Sequence, residues 1–253
     1  MELKISLITQ ARMGSTRFPG KVLKKINGIE LLELHVDRLK KSKKISEIIV
    51  ATTNNEEDKI IYEKSINLGV KSFKGSELDV LDRYYKVAKT ENSDWVVRVT
   101  SDCPLIDPNL IDNVVQFAID KDKDYCSNRL LESFPDGQDV ELIKFKALEK
   151  AWKSAKLNSE REHVTPYIIK NSDFKGGLLF SATNFDCLSD FSNIRMTVDE
   201  VLDIKLIEIL ITKLGVNRTW KEYTDFIIDN NLTKINGRII RNEGYLNSIK
   251  KET

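Results

Sequence analysis

Three cations and two glycines fall within one short segment near the start of the chain, Gln10-Ala11-Arg12-Met13-Gly14-Ser15-Thr16-Arg17-Phe18-Pro19-Gly20-Lys21. Gly14 and Gly20 permit close backbone approach. Arg12, Arg17 and Lys21 add charge, so the segment can offer both N–H groups and cations to a polyphosphate. It is not a Walker A loop, which needs four residues between its glycines and a Ser or Thr after the Lys. Here five residues intervene and Val22 follows Lys21. The alternative is a solvated loop whose cations are incidental.

Carboxylates stand where such a ligand would need a counter-ion. Asp102 ends the strand-like run before Pro104, and Asp199 ends the extended run 194–198. Mg²⁺ takes one or two protein carboxylates and completes its shell with water and phosphate, so Asp102 and Asp199 are the candidate metal ligands. Each could instead cap a helix; Asp107, followed by Pro108, is better explained that way. Gly75-Ser76-Glu77 follows a short strand and shares the same edge. Asp139 and Glu141 lie two apart on a strand and point to one face. His163 belongs to the polar group Glu160-Arg161-Glu162-His163, which is also consistent with an exposed helix start. His35 falls on the apolar helix line Leu31–His35–Leu39 and reads as a packed, hydrogen-bonded core residue. Cys103 has no local His partner and reads as a structural thiol.

These residues need a scaffold. Strand patterns at 3–8, 47–52, 70–73 and 95–99 alternate with helix patterns at 29–42, 57–68, 79–89 and 109–119. That alternation predicts an α/β fold with a mainly parallel sheet, in which ligands bind beyond the carboxyl ends of the strands. The later half is less regular: a strand at 139–143, helices at 145–155 and 160–170, extended runs at 178–181 and 193–198, then helices at 204–214 and 220–229. No linker or repeat divides the chain. The expected organisation is one domain over 1–233, with an irregular acceptor-binding elaboration around 130–200 and a polar appendage at 234–253.

Composition narrows the class. The chain has 253 residues, with 40 Lys+Arg against 39 Asp+Glu and a net charge of +1. No basic excess exists for general nucleic-acid binding. At 41% hydrophobic residues it can bury a core, which excludes a disordered chain. No apolar run is long enough to span a bilayer, and the start passes directly into a strand pattern rather than a signal peptide. Cys103, Cys126 and Cys187 lack zinc spacing. The expectation is a soluble, cytoplasmic protein with no membrane or nucleic-acid partner.

The loop, read as Gln-Ala-Arg-Met-Gly-Ser-Thr-Arg-Phe-Pro-Gly-Lys-Val-Leu, resembles the opening signature of the acid-sugar cytidylyltransferases. Within them it is most similar to the spore coat polysaccharide biosynthesis cytidylyltransferase family, related to 3-deoxy-manno-octulosonate cytidylyltransferase. The resemblance continues through Ile49–Thr53, Gly75–Tyr85, Arg98–Asp107, Glu160–Tyr167 and Arg195–Asp199. It implies a Rossmann-like sheet of the nucleotide-diphospho-sugar transferase type, a homodimer, and transfer of CMP from CTP to a small acidic acceptor with release of pyrophosphate. It implies Arg12, Lys21 and Asp102 as catalytic residues. Ala11, Arg12, Gly14, Ser15, Arg17, Lys21, Ser76 and Arg83 would bind the nucleotide. Asp102 and Asp199 would hold Mg²⁺. Gln138, Asp139, Glu141, Glu160, Arg161 and His163 would bind the acceptor. One departure stands out: Glu200-Val201-Leu202-Asp203 replaces the family's Pro-Glu-Asp after Asp199. Competing readings are a nucleotidyltransferase with another NTP or a phosphosugar acceptor, a glycosyltransferase, and a non-catalytic nucleotide-binding module. The loop argues against the second and the retained aspartates against the third.

Overall fold

The computed structural model describes residues 3–15 and 17–252; Thr16 of the glycine-rich loop lies outside the described residues. Four strands, the apolar β1 (Ile5–Gln10), β4 (Glu47–Thr53) and β6 (Trp95–Thr100) and the more polar edge strand β5 (Lys71–Gly75), pair in parallel. Between β1 and β4 come the two-residue strands β2 (Lys25–Ile26) and β3 (Ile29–Glu30), an antiparallel pair. After β6 the sheet changes sense. β8 (Glu141–Lys144) pairs antiparallel with β6 and with β7 (Tyr125–Ser127), and β7 runs parallel to β9 (Ala182–Asn184). The seven-stranded order is β5-β4-β1-β6-β8-β7-β9.

Successive side chains on a strand face opposite sides, and the two cores follow from that alternation. Ile8, Val96 and Ile143 pack on one face against α3 (Val80–Thr90), α5 (Phe145–Ser154) and α7 (Pro166–Lys170). Leu7, Val97 and Leu142 pack on the other against α4 (Pro108–Lys121). On a third cluster, α1 (Leu31–Leu39) and α2 (Lys59–Asn67) cover Val50. A fourth joins α8 (Val201–Leu214) and α9 (Trp220–Asp229) to Ile194, Met196 and Val198. Between α5 and α7 lies α6 (Asn158–His163), and α10 (Glu243–Lys250) ends the described chain.

Local chemistry sets the ends. Asp107 accepts a hydrogen bond from Asn109 N at 2.8 Å and Pro108 occupies the first turn, so α4 starts there. Some expectations need correction. The helix expected at 160–170 is two helices, because Val164 takes φ +71° between them. The extended run 193–198 makes only an isolated bridge, Asp136 to Arg195. β9 begins after, not within, the run expected at 178–181. The tail after residue 233 is polar, its helix α10 buries no side chain, and it packs beside the cavity described below.

Candidate active site

β1 and β6 end level, Gln10 opposite Thr100, and β4 runs two residues past Ala51, the partner of Gln10 on its other side. The loop after β1 and Ser101-Asp102 after β6 therefore leave the sheet at one edge. Beside them opens a cavity of about 1110 Å³. The loop is held by its backbone and by one buried carboxylate. Gly20, at φ +66°, donates its N–H to Met13 O at 2.9 Å. Met13 N donates to Asp58 Oδ1 at 2.6 Å, and Asp58 is also bound by Thr53 Oγ1.

Each cation of the loop meets a carboxylate. Arg12 Nη1 donates to Glu77 Oε1 at 2.7 Å, and Asn55 holds the other Glu77 oxygen at 2.8 Å. Arg17 lies 3.0 Å from Asp199 and 3.4 Å from Glu243. Lys21 Nζ donates to Asp102 Oδ2 at 3.0 Å and to Asp199 Oδ1 at 2.7 Å. Burial opposes the Lys21 charge, but the two aspartates outweigh it and hold its pKa above the ordinary lysine value. Burial likewise opposes the Asp102 charge. Lys21, with hydrogen bonds from Thr100 and Cys103, outweighs that and holds the carboxyl well below the usual range.

The two aspartates are stitched together by backbone. Val198 N donates to Asp102 O at 2.7 Å, which sets Asp199 beside Asp102. Neither acts as a helix cap. Glu200 is the N-cap of α8, and Asp203 accepts from the N–H groups of Asp199 and Glu200, each at 2.9 Å. Asp203 thus does what the departing Glu-Val-Leu-Asp sequence left open. Convergence of two carboxylates on one cationic point at the cavity wall fits a hard divalent cation. Among the described residues no group of three or more His, Cys, Asp or Glu is placed to hold a metal ion.

Of the other expected nucleotide residues, Ala11, Ser15 and Arg83 line the cavity, while Gly14 and Ser76 do not. Arg83 is buried and donates to Ala51 O at 3.0 Å. Its stem crosses Gly75 so closely that a Cβ there would meet Arg83 Cγ at 2.6 Å, which ties the glycine to the arginine of that motif. Ser76 is exposed and accepts from Asp79 N.

The expected acceptor residues divide. Asp139, Glu141 and His163 line the cavity; Gln138, Glu160 and Arg161 do not. Gln138 is buried between Asp107 N and Leu105 O. Glu160 accepts from the backbone N–H groups of Lys156 and Leu157, closing the start of α6. Arg161 binds Asp79 and Trp152 O, joining α6 to the start of α3. Glu141 is almost wholly buried and bound by Arg98, by Tyr125 at 2.5 Å and by Arg129 at 3.6 Å. Burial opposes its charge, and the two arginines outweigh it and depress its pKa. His163 Nε2 lies 3.1 Å from Ser248 Oγ, and burial, with Arg98 and Arg129 nearby, pulls it down to about 4. It is neutral at pH 7. His35 is the buried residue the sequence implied, between Thr9 Oγ1 and Cys103 O. Glu77 is visible in the sequence only as part of the Gly75-Ser76-Glu77 edge motif, and no local pattern marks Asp58, Arg129, Asn242 or Tyr245 for the contacts they make.

The cytidylyltransferase family model matches residues 6–210. The chain belongs to the cytidylyltransferase family. This cytidylyltransferase is 33% identical over 218 residues to the spore coat polysaccharide biosynthesis protein SpsF of Bacillus subtilis, covering 83% of this chain and 88% of that one. It is 45% identical over 205 residues to an uncharacterized protein of Methanocaldococcus jannaschii, covering 81% and 82%. A solved cytidylyltransferase of Leptospira borgpetersenii superposes with a TM-score of 0.85 at 32% identity, over 91% of this chain and 96% of that one. The cytidylyltransferase is therefore a CTP-dependent nucleotidyltransferase on a mostly parallel α/β sheet, and among its described residues no helix is long and apolar enough to cross a membrane.

Proposed function

We propose that the enzyme transfers CMP from CTP to a small acidic acceptor, an acid sugar or related carboxylic acid, for surface-glycan synthesis in the cytoplasm. It would act as a homodimer, as the family resemblance implies. The observation that carries the reading is the convergence of Asp102, Asp199 and Lys21 at the end of a cation-bearing loop, in one cavity with Arg129, Asp139 and His163. Arg12, Arg17 and Lys21 exchange their carboxylate partners for the triphosphate and stabilise the departing pyrophosphate. The acceptor oxygen attacks the α-phosphorus in line with that leaving group, so the protein aligns two substrates and forms no covalent intermediate. Asp102 and Asp199 would hold Mg²⁺, which supplies charge neutralisation at the α-phosphate. Arg129, paired with Asp139 and Glu141, lines the far half of the cavity and would take an acceptor carboxylate in exchange for one of those partners. Pyrophosphate release with each of the four NTPs, Mg²⁺ or EDTA, and a panel of acid sugars tests this. Turnover with CTP, Mg²⁺ and an acid sugar is expected. Preference for a purine triphosphate, or for a sugar phosphate over every acid, would overturn it.

A further inference from the structure

The last described segment, residues 241–252, is polar, and its helix α10 buries no side chain in the core. It nevertheless docks at many points around the far half of the cavity. Arg241 donates to Asp139 at 2.7 Å and to Phe134 O at 3.1 Å. Arg129 Nη2 donates to Asn242 Oδ1 at 3.0 Å. Arg17 pairs with Glu243. Ser248 meets His163, and Tyr245 stands edge-on to the His163 ring with centroids 5.1 Å apart. Glu252 accepts from Ser159 N at 2.6 Å and from Ser159 Oγ at 2.7 Å. Apart from the exposed Arg17–Glu243 pair, these contacts are partly buried. They cover space at the site: Asn242, Gly244 and Tyr245 line the cavity beside Arg129 and His163. The family match ends at residue 210, so this wall lies outside the shared pattern.

We propose that residues 241–252 form the acceptor-side wall of the cavity and that Tyr245, with Asn242, selects the acceptor. The inference rests on the acidic-acceptor reading above. A phenol and an amide beside Arg129 suit an acceptor with a hydroxylated body and one anionic group: Arg129, exchanging one of its carboxylate partners, takes the charge and the wall takes the hydroxyls. Because Asn242 and Tyr245 are uncharged, changing them alters which body fits while the triphosphate contacts stay in place.

The test uses the full chain with CTP, Mg²⁺ and a size-graded panel of 2-keto-3-deoxy sugar acids, with pyruvate and lactate as small-acid controls. Tyr245→Ala and Asn242→Ala should raise the acceptor KM about tenfold or reorder the panel, with the CTP KM held within about twofold. Tyr245→Phe, which keeps the ring on His163, should fall between. An unchanged acceptor order and KM, or equal changes in both KM values, would overturn the proposal. A second readout needs no acceptor. The chain has 2 histidines, so His163 can be titrated by NMR. Its surroundings are Tyr245, Ser248 and Glu252 from the tail, with Glu162, Arg98, Arg129 and Glu141 beneath. In the Tyr245→Ala/Ser248→Ala double variant its pKa should rise from about 4 toward the ordinary histidine value. No change would remove the covering role. Absence of turnover with the whole panel, with CTP still bound, would sink the acidic-acceptor reading, and the titration would still decide the wall.

Discussion

Asp199 is the side chain whose role the geometry separates most cleanly. Its neighbours Glu200 and Asp203 do the capping of α8, so Asp199→Asn removes charge without removing a cap. Turnover should fall by about a hundredfold or more while the melting temperature stays within a few degrees. Asp102→Asn should behave the same way, and the double variant should be far less impaired than the product of the two, since both serve one charge centre. Pyrophosphate release and thermal unfolding on the same samples check this; near-normal turnover in Asp199→Asn would leave a single-carboxylate site on Asp102. Arg12 is about a third exposed and its pair with Glu77 is of surface type, so Arg12→Ala should cost under about 1 kcal/mol of stability. The same change should lower kcat/KM for CTP by about 2–4 kcal/mol in transition-state terms. Kinetics with CTP varied and acceptor fixed would show it, and a large loss of stability with unchanged kinetics would mean the loop is structural. At this scale the sequence displays residue types. Lys21, Asp102 and Asp199 could be picked out because cations in a glycine-containing loop and carboxylates after strands are local patterns. Asp58 could not, and Glu77 only as part of the Gly75-Ser76-Glu77 segment, because the partner that matters to each is supplied by folding.

Elements were legible where periodicity is strong and illegible where geometry is set by contact. The parallel strands β1, β4 and β6 read directly from buried runs rich in β-branched residues, and α4 from its Asp-Pro start. β7, three residues long, has no pattern of its own; it exists because β8 and β9 flank it. The segment carrying Asp199 is positioned by one close approach that only glycine allows. Gly137 sits at φ +102°, and a Cβ there would meet the backbone of Met196 and Thr197 at 2.7 Å. Gly137→Ala should destabilise the protein by about 1–3 kcal/mol from backbone strain. It should also depress turnover, because the displaced backbone leads straight to Asp199; calorimetry and kinetics together check both, and a silent variant would mean residues 194–198 are placed otherwise. β8 joins β6 through a buried charge cluster. Glu141→Gln leaves Arg98 without its carboxylate and Arg129 with Asp139 alone and should cost about 3–5 kcal/mol, seen as a lower urea midpoint. A midpoint unchanged from the parent would show that the cluster contributes no net stability.

For the molecule as a whole, the parallel half of the sheet builds the phosphate end of the cavity, while the antiparallel extension and the tail build the other. The tail's part could not be read in advance, because a polar stretch without periodicity carries no sign of what it will lie against. A buried histidine then couples the whole fold to pH. His35 is fully buried, and its desolvation pulls its pKa down to about 4 against the pull of Cys103 O and Asp102. In the unfolded chain a histidine takes its proton near pH 6.5. As pH falls from 6.5 to 4, the unfolded state therefore binds a proton that the folded state refuses. Stability is fully present above 6.5 and declines through that window, by up to about 3 kcal/mol for this one residue. Asp136, pushed up to about 7 by burial and by Asp139, works in the opposite sense over the same range. The raw pH curve mixes the two, so the test is a difference. His35→Gln cannot titrate and still offers a donor and an acceptor to Cys103 O and Thr9 Oγ1. Its baseline stability should be lower, but between pH 7 and 4 it should lose less than the parent does. Parallel melting-temperature curves for parent and variant across that range would show that His35 is not what makes the fold acid-sensitive.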